Sequence, residues 1–215
     1  AKTWQQPDHS LASMSETYTA LNEACKVTYR VPSDSGGPIR SRCGSLVLLT
    51  GELQAPEADP ALRNHGHFVL EQERGRVRGH VQPFAWARHT PTLRDDDEIG
   101  VNLLLSEYAL PPVRSARLNG VPLEADDVEV DSNRARFEIE DAGVALVLTL
   151  ELPATTRCVL SRTHGWLRCA AVLGSGVRQH TPESLADMRV GFEFSIESPP
   201  RTADSLARAA ETARG

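Results

Sequence analysis

Between Val144 and Leu152, five apolar residues stand on alternate positions: Val144, Leu146, Leu148, Leu150 and Leu152. On an extended strand alternate side chains share one face, whereas a helix would scatter these five around its circumference. The chain must therefore bury one face of a sheet. The same period recurs in Phe137 and Ile139, in Val128 and Val130, and in Phe192, Phe194 and Ile196. Turn chemistry falls between these segments. Asn119-Gly120 predicts a type I′ hairpin, Asp131-Ser132-Asn133 a turn, Asp141-Ala142-Gly143 a glycine turn ahead of the best strand, and Thr163-His164-Gly165 another hairpin. Short strands separated by turns at about 8 to 12 residues predict a mainly β, antiparallel β-sandwich or jelly-roll-like fold rather than alternating β and α units.

At 215 residues the chain suits one domain over 1–215, with antiparallel strands over 25–197. Two of those strands are expected at Lys26 to Val31 and Gly44 to Thr50, with a loop over Gly51 to Arg63, where Pro56 and Pro60 sit among acids and alanines. An N-terminal amphipathic helix is expected over Ser10 to Ala24. Leu11, Met14, Tyr18 and Leu21 recur there at helical spacing, and Ser13 with Glu16 makes a capping box. Short C-terminal helices are expected after Thr181-Pro182-Glu183, ahead of Leu185 and Met188, and over Thr202 to Ala213, whose apolar face is mostly alanine.

The net charge of −6 and the scattered basic residues give no footprint for nucleic acid. The longest apolar-rich run, Val144 to Leu150, is far shorter than a membrane span. The opening residues lack the basic and apolar blocks of a secretion signal, the pattern of a soluble chain that is cytoplasmic or already processed and secreted. Cys25, Cys43, Cys158 and Cys169 lack the close spacing of a zinc site. In one hairpin register Cys158 and Cys169 lie nearly opposite each other and suit a disulfide; a slip of two residues separates them and leaves two buried thiols.

Four segments carry chemistry-bearing residues. His65-Gly66-His67 followed by Glu71 places positions 65, 67 and 71 on one strand face, where two imidazoles and a carboxylate suit one divalent metal. This segment, running to Val77, resembles the first metal motif of the cupins, which implies a jelly roll and a metal-dependent enzyme with His65, His67 and Glu71 as ligands of a divalent transition metal. His80 and His89 follow without that setting. Asp34-Ser35-Gly36-Gly37-Pro38 resembles the nucleophile segment of trypsin-like serine proteases, which implies Ser35 as nucleophile; turn chemistry between two strands accounts for the same residues. Asp95-Asp96-Asp97-Glu98 reads as a solvated acidic loop.

The fourth segment, Gln82-Pro83-Phe84-Ala85-Trp86, together with Trp4 and Trp166, supplies aromatic faces. Trp86 and Trp166 are the ligand-binding candidates there, because an indole can stack on a sugar ring; core packing is the competing explanation. The leading expectation is a non-enzymatic β-sandwich module that binds a small molecule, a carbohydrate or a protein partner, as part of a larger protein or alone. A cupin-like metal enzyme and a carbohydrate-binding module are the alternatives.

Overall fold

A computed structural model describes residues 2–5, 10–19, 22–31, 40–50, 66–83, 98–107, 112–141, 143–163, 165–175 and 187–197. In chain order the strands are β1 (Lys2–Gln5), β2 (Ser10–Thr19), β3 (Asn22–Val31), β4 (Arg40–Thr50), β5 (Gly66–Glu73), β6 (Arg76–Pro83), β7 (Glu98–Ser106), β8 (Ser115–Leu118), β9 (Val121–Pro122), β10 (Val128–Asp141), β11 (Val144–Thr163), β12 (Trp166–Ser175) and β13 (Val190–Glu197). Every pairing among them is antiparallel. The mainly β reading holds, and no helix occurs among the described residues. None of them therefore forms a helix long and apolar enough to cross a membrane. Both expected C-terminal helices lie almost wholly outside the described residues.

The described part of the span expected to be an N-terminal helix, 10–19 and 22–24, is instead strand, and Ala20 and Leu21 lie outside the described residues. β2 runs through Ser10–Thr19, and Ala24 belongs to β3, with Leu11 opposite Tyr29 and Glu16 opposite Ala24. A stripe of four apolar residues makes a marginal helix, whereas Thr17, Tyr18 and Thr19 favour a pleated backbone and β3 offers a full ladder of partners. The capping-box pair Ser13 and Glu16 thus sits within a strand.

The sheet forks at β11. Val144–Glu151 and Thr156–Leu160 lie along β10, but the other edge changes partner: Ala145–Glu151 pairs with β13, and Arg157–Thr163 with β12. One branch continues through β12, β7, β4, β3, β2 and β1, and the other through β13, β6 and β5. Between the two halves Asn133 alone on β10 faces Leu152 to Thr155 on β11, because Ser132 pairs with Thr156 and Arg134 with Glu151. Such an irregularity bends a strand, and Pro153, with no N–H to give the ladder, suits it. The expected turn at Asp131-Ser132-Asn133 therefore lies inside one 14-residue strand, at a register shift whose extra residues belong to β11. Ser132 Oγ holds it, accepting from Arg134 N at 3.1 Å and donating to Arg134 O at 2.7 Å.

The alternating segments supply the core. Val144, Leu146, Leu148 and Leu150 are buried, as are Phe137, Ile139, Phe192, Phe194 and Ile196, while Leu152 at the bend is half-buried against them. Each such side chain contributes about 1.5 to 3 kcal/mol through burial. A charged pair joins β4 to the end of β10: Arg42 Nε donates to Asp141 Oδ2 at 2.6 Å and one terminal nitrogen donates to Ser106 O at 2.6 Å.

Asn119-Gly120 forms the expected hairpin between β8 and β9, with φ of 48° and 84°. Both central residues of a type I′ turn need positive φ. A β-carbon on Gly120 would touch nothing, so the cost of Gly120→Ala is purely conformational, about 1 kcal/mol. Urea denaturation checks this: an unchanged midpoint would mean that the turn does not hold its left-handed geometry in solution.

Cys158 pairs with Ala171 and Cys169 with Leu160, the register that sets the two sulfurs on a diagonal. Diagonal neighbours lie about 7 to 8 Å apart, beyond ordinary disulfide reach, and both thiols are free and buried. Burial first, and the Asp131 carboxylate second, push the Cys158 thiol up to about 11 from its ordinary 9.0. Burial likewise raises Cys169. The folded chain keeps the Cys158 proton where the unfolded chain has lost it, so this contribution to stability is intact below about pH 9 and falls as pH climbs towards 11. Iodoacetamide labelling read by mass spectrometry should leave both sites unmodified at pH 8 until denaturant is added. Labelling of Cys158 in the folded protein at that pH would contradict the geometry.

Candidate functional site

The branch formed by β10, the first half of β11, β13, β6 and β5 buries Leu148, Leu150, Phe192, Phe194, Val77 and Val81 on its inner face. Period two then sends the intervening residues outward, and the register stacks them in rows across the five strands. One row reads Val69, His80, Gly191, Glu151, Arg134. The next reads Glu71, Arg78, Glu193, Thr149, Arg136, and a third Glu73, Arg76, Ser195, Val147, Glu138.

The second and third rows neutralise themselves. Arg78 lies 3.4 Å from Glu71 and 3.2 Å from Glu73, Arg76 lies 3.5 Å from Glu193, and Arg136 lies 2.7 Å from Glu138. The first row does not. Among the described residues the Arg134 guanidinium and the Glu151 carboxylate make no ion pair, although they are cross-strand neighbours. Arg189, just ahead of β13, places a terminal nitrogen 3.0 Å from His80 Nδ1. A guanidinium only donates, so Nδ1 accepts and the ring proton of a neutral His80 sits on Nε2. Arg189 is exposed and makes no ion pair among the described residues.

Between His80 and Glu151 the row dips at Gly191, which offers no side chain. An open groove of about 770 Å³ lies over this row and part of the next; its charged lining is Arg134, Glu151 and Arg189 together with Glu71, Arg78 and Glu193. Its volume is that of a small-molecule site. Arg134 is held from behind: its backbone is fixed by Ser132 and its carbonyl also accepts from Asn119 Nδ2 at 3.2 Å. The bulge and the β8–β9 turn together position one wall of the groove.

The residues expected to bind metal are placed only in part. Glu71 is exposed beside Arg78, His67 occupies β5 opposite Gln82, and His65 lies outside the described residues. No group of three metal-ligating side chains comes together among the described residues. Trp166 opens β12 opposite Ser106, half-buried and on the other branch, so it does not line the groove. Trp86, Ser35, His89, His164, His180 and Asp95 to Asp97 lie outside the described residues. Glu98 begins β7. Sequence reasoning missed Arg134, Glu151, Arg189 and Gly191. Only Gly191 carried a signal, since a glycine inside an alternating strand marks a place where something approaches the backbone.

Comparison with family models, with curated proteins and with solved structures finds no match for this chain.

Proposed function

We propose that the chain is a non-enzymatic β-sandwich module that binds a polar ligand in the groove over Gly191. The sandwich reading is supported by the fork at the bent β11, the device by which a strand passes from one sheet to another, and by the approach of β5 to β3 and β2 of the other branch. The observation that carries the binding reading is the contrast between rows. Neighbouring rows satisfy their charges internally, while the row with the glycine keeps a guanidinium and a carboxylate unpaired among the described residues. Concave sites that combine volume with a few convergent polar groups are the usual places for ligands.

The test uses a substitution that fills the groove without straining the fold. A β-carbon on Gly191 would lie 3.4 Å from the nearest atom, Glu151 Cβ, an ordinary contact. Gly191→Val therefore places its β-carbon without a backbone clash, and a β-branched residue suits a strand. Wild-type protein screened against a glycan array and a panel of polar metabolites should bind at least one member, and Gly191→Val should lose that binding. A ligand held equally by both proteins would move the site elsewhere.

A further inference from the structure

We infer that Asn119 is a site of spontaneous covalent modification: its side-chain amide converts to aspartyl and isoaspartyl forms when the β8–β9 turn opens, and the closed turn holds that reaction back. Of the five asparagines, Asn22, Asn64, Asn102, Asn119 and Asn133, only Asn119 precedes a glycine. The backbone nitrogen of Gly120 has no β-carbon beside it, and one built there would meet nothing within 4 Å, so the nucleophile lies in an open turn. The closed turn uses the amide as a piece of strand. Asn119 N donates to Arg136 O at 2.8 Å, and Arg136 N donates back to Asn119 Oδ1 at 2.8 Å, where a continuing strand would offer its own carbonyl. Asn119 Nδ2 donates to Arg134 O at 3.2 Å, as a further N–H of such a strand would. Only this orientation of the amide makes both contacts hydrogen bonds, since a carbonyl oxygen cannot accept from another oxygen that carries no proton. The amide thus continues the ladder along β10 after the main chain has turned away.

Conversion needs a different arrangement. The Gly120 nitrogen attacks Asn119 Cγ, a new C–N bond closes a cyclic imide, and the side-chain nitrogen leaves as ammonia with the proton of the peptide nitrogen. Water then opens one of the two imide carbonyls. Opening at one carbonyl gives an aspartyl residue; opening at the other gives an isoaspartyl residue, whose backbone runs through the former side chain. For Cγ to meet that nitrogen the amide must swing off β10 and give up both of its bonds there. The isoaspartyl form adds a backbone atom to a two-residue turn, and the aspartyl form has no donor for Arg134 O. Arg134 lines the groove, so either product loosens that wall, independently of what the groove binds.

The test incubates the full chain in mildly alkaline buffer and follows all five asparagines by peptide mapping with mass spectrometry, while hydrogen exchange of the Arg136 amide is measured in parallel. Asn119 should convert in the folded protein, and do so about tenfold or more slowly than in the urea-unfolded chain, because two hydrogen bonds must open first. Urea below the unfolding transition that speeds Arg136 exchange should speed conversion in proportion, since both read the same opening. Gly120→Ala, compared in the unfolded chain where turn geometry has no influence, should slow conversion about tenfold by crowding the nitrogen. Three results would each overturn the inference: no conversion in the folded protein while the unfolded chain converts fully, equal rates in the two states, or a folded-state rate that ignores Arg136 exchange. Unchanged conversion in Gly120→Ala would overturn it too, because the attack would not come from that nitrogen.

Discussion

Replacing Arg42 by methionine should lower the free energy of unfolding by about 3 to 5 kcal/mol, the loss expected when one partner of a buried ion pair is removed. The side chains of Arg42 and Asp141 are 1% and 7% exposed, and the carboxylate receives two donors from the guanidinium, at 2.6 and 3.3 Å. Methionine fills much the same volume but leaves the Asp141 carboxylate with a lost counter-charge in a site that excludes water. It also removes the donor to the Ser106 carbonyl, so a second polar atom loses a bond. The double substitution Arg42→Met with Asp141→Leu should recover most of the loss, since apolar replacements of both partners avoid the stranded charge. Urea denaturation of the wild type, Arg42→Met, Asp141→Leu and the double substitution closes the cycle. A single-substitution loss below about 1 kcal/mol would mean that the pair is solvated and behaves like a surface bridge.

Much of the fold was legible because burial and strand period act locally. Val144 to Leu150, Phe137 to Ile139 and Phe192 to Ile196 each announce their inner face, and the structure buries the residues so marked. Asn119-Gly120 announces its turn for an equally local reason, the need for two positive φ angles. Where competing local signals existed, the long-range ladder decided. The helical spacing of Leu11, Met14 and Tyr18 yields to pairing between β2 and β3, and the turn-rich Asp131-Ser132-Asn133 stays within β10 because β11 pairs with the strand on either side of the register shift. Turn residues mark an interruption of the ladder, but they do not say whether the chain reverses there or continues.

The candidate site was hidden for a related reason. Val69, His80, Gly191, Glu151 and Arg134 come from five strands, with more than a hundred residues between His80 and Gly191, and only the register of four ladders brings them into a row. Sequence proximity instead drew attention to His65, His67 and Glu71. Glu71 does belong to the same outer face, one row away, but its carboxylate lies beside Arg78. A cluster on one strand is visible in sequence, whereas a cluster across strands needs the pairing first. The cysteines make the same point, since two registers were open to Cys158 and Cys169 and the ladder selects the one without a disulfide.

Two glycines near the groove should respond to a methyl group in opposite ways. Gly79 pairs with Leu70 on one side and Phe192 on the other, and a β-carbon there would run into the Val69 carbonyl oxygen and come within 2.9 Å of Leu70 Cα. The obstacles are backbone atoms, so no rotamer change relieves them and β5 must move away from β6. Gly79→Ala should therefore cost about 1 to 3 kcal/mol, the range for overpacking. It should also raise hydrogen exchange along Gly66–Glu73, because among the described residues β5 pairs with β6 alone. Gly191→Ala meets only Glu151 at ordinary contact distance and should be neutral or stabilising by about 0.5 to 1 kcal/mol. The two substitutions alter neighbouring strands by the same atoms, so composition and unfolded-state effects cancel to first order in the comparison. Should Gly79→Ala unfold at the same urea concentration as Gly191→Ala, the close approach of β5 to β6 would not exist in solution, and the Val69 wall of the groove would have to be redrawn.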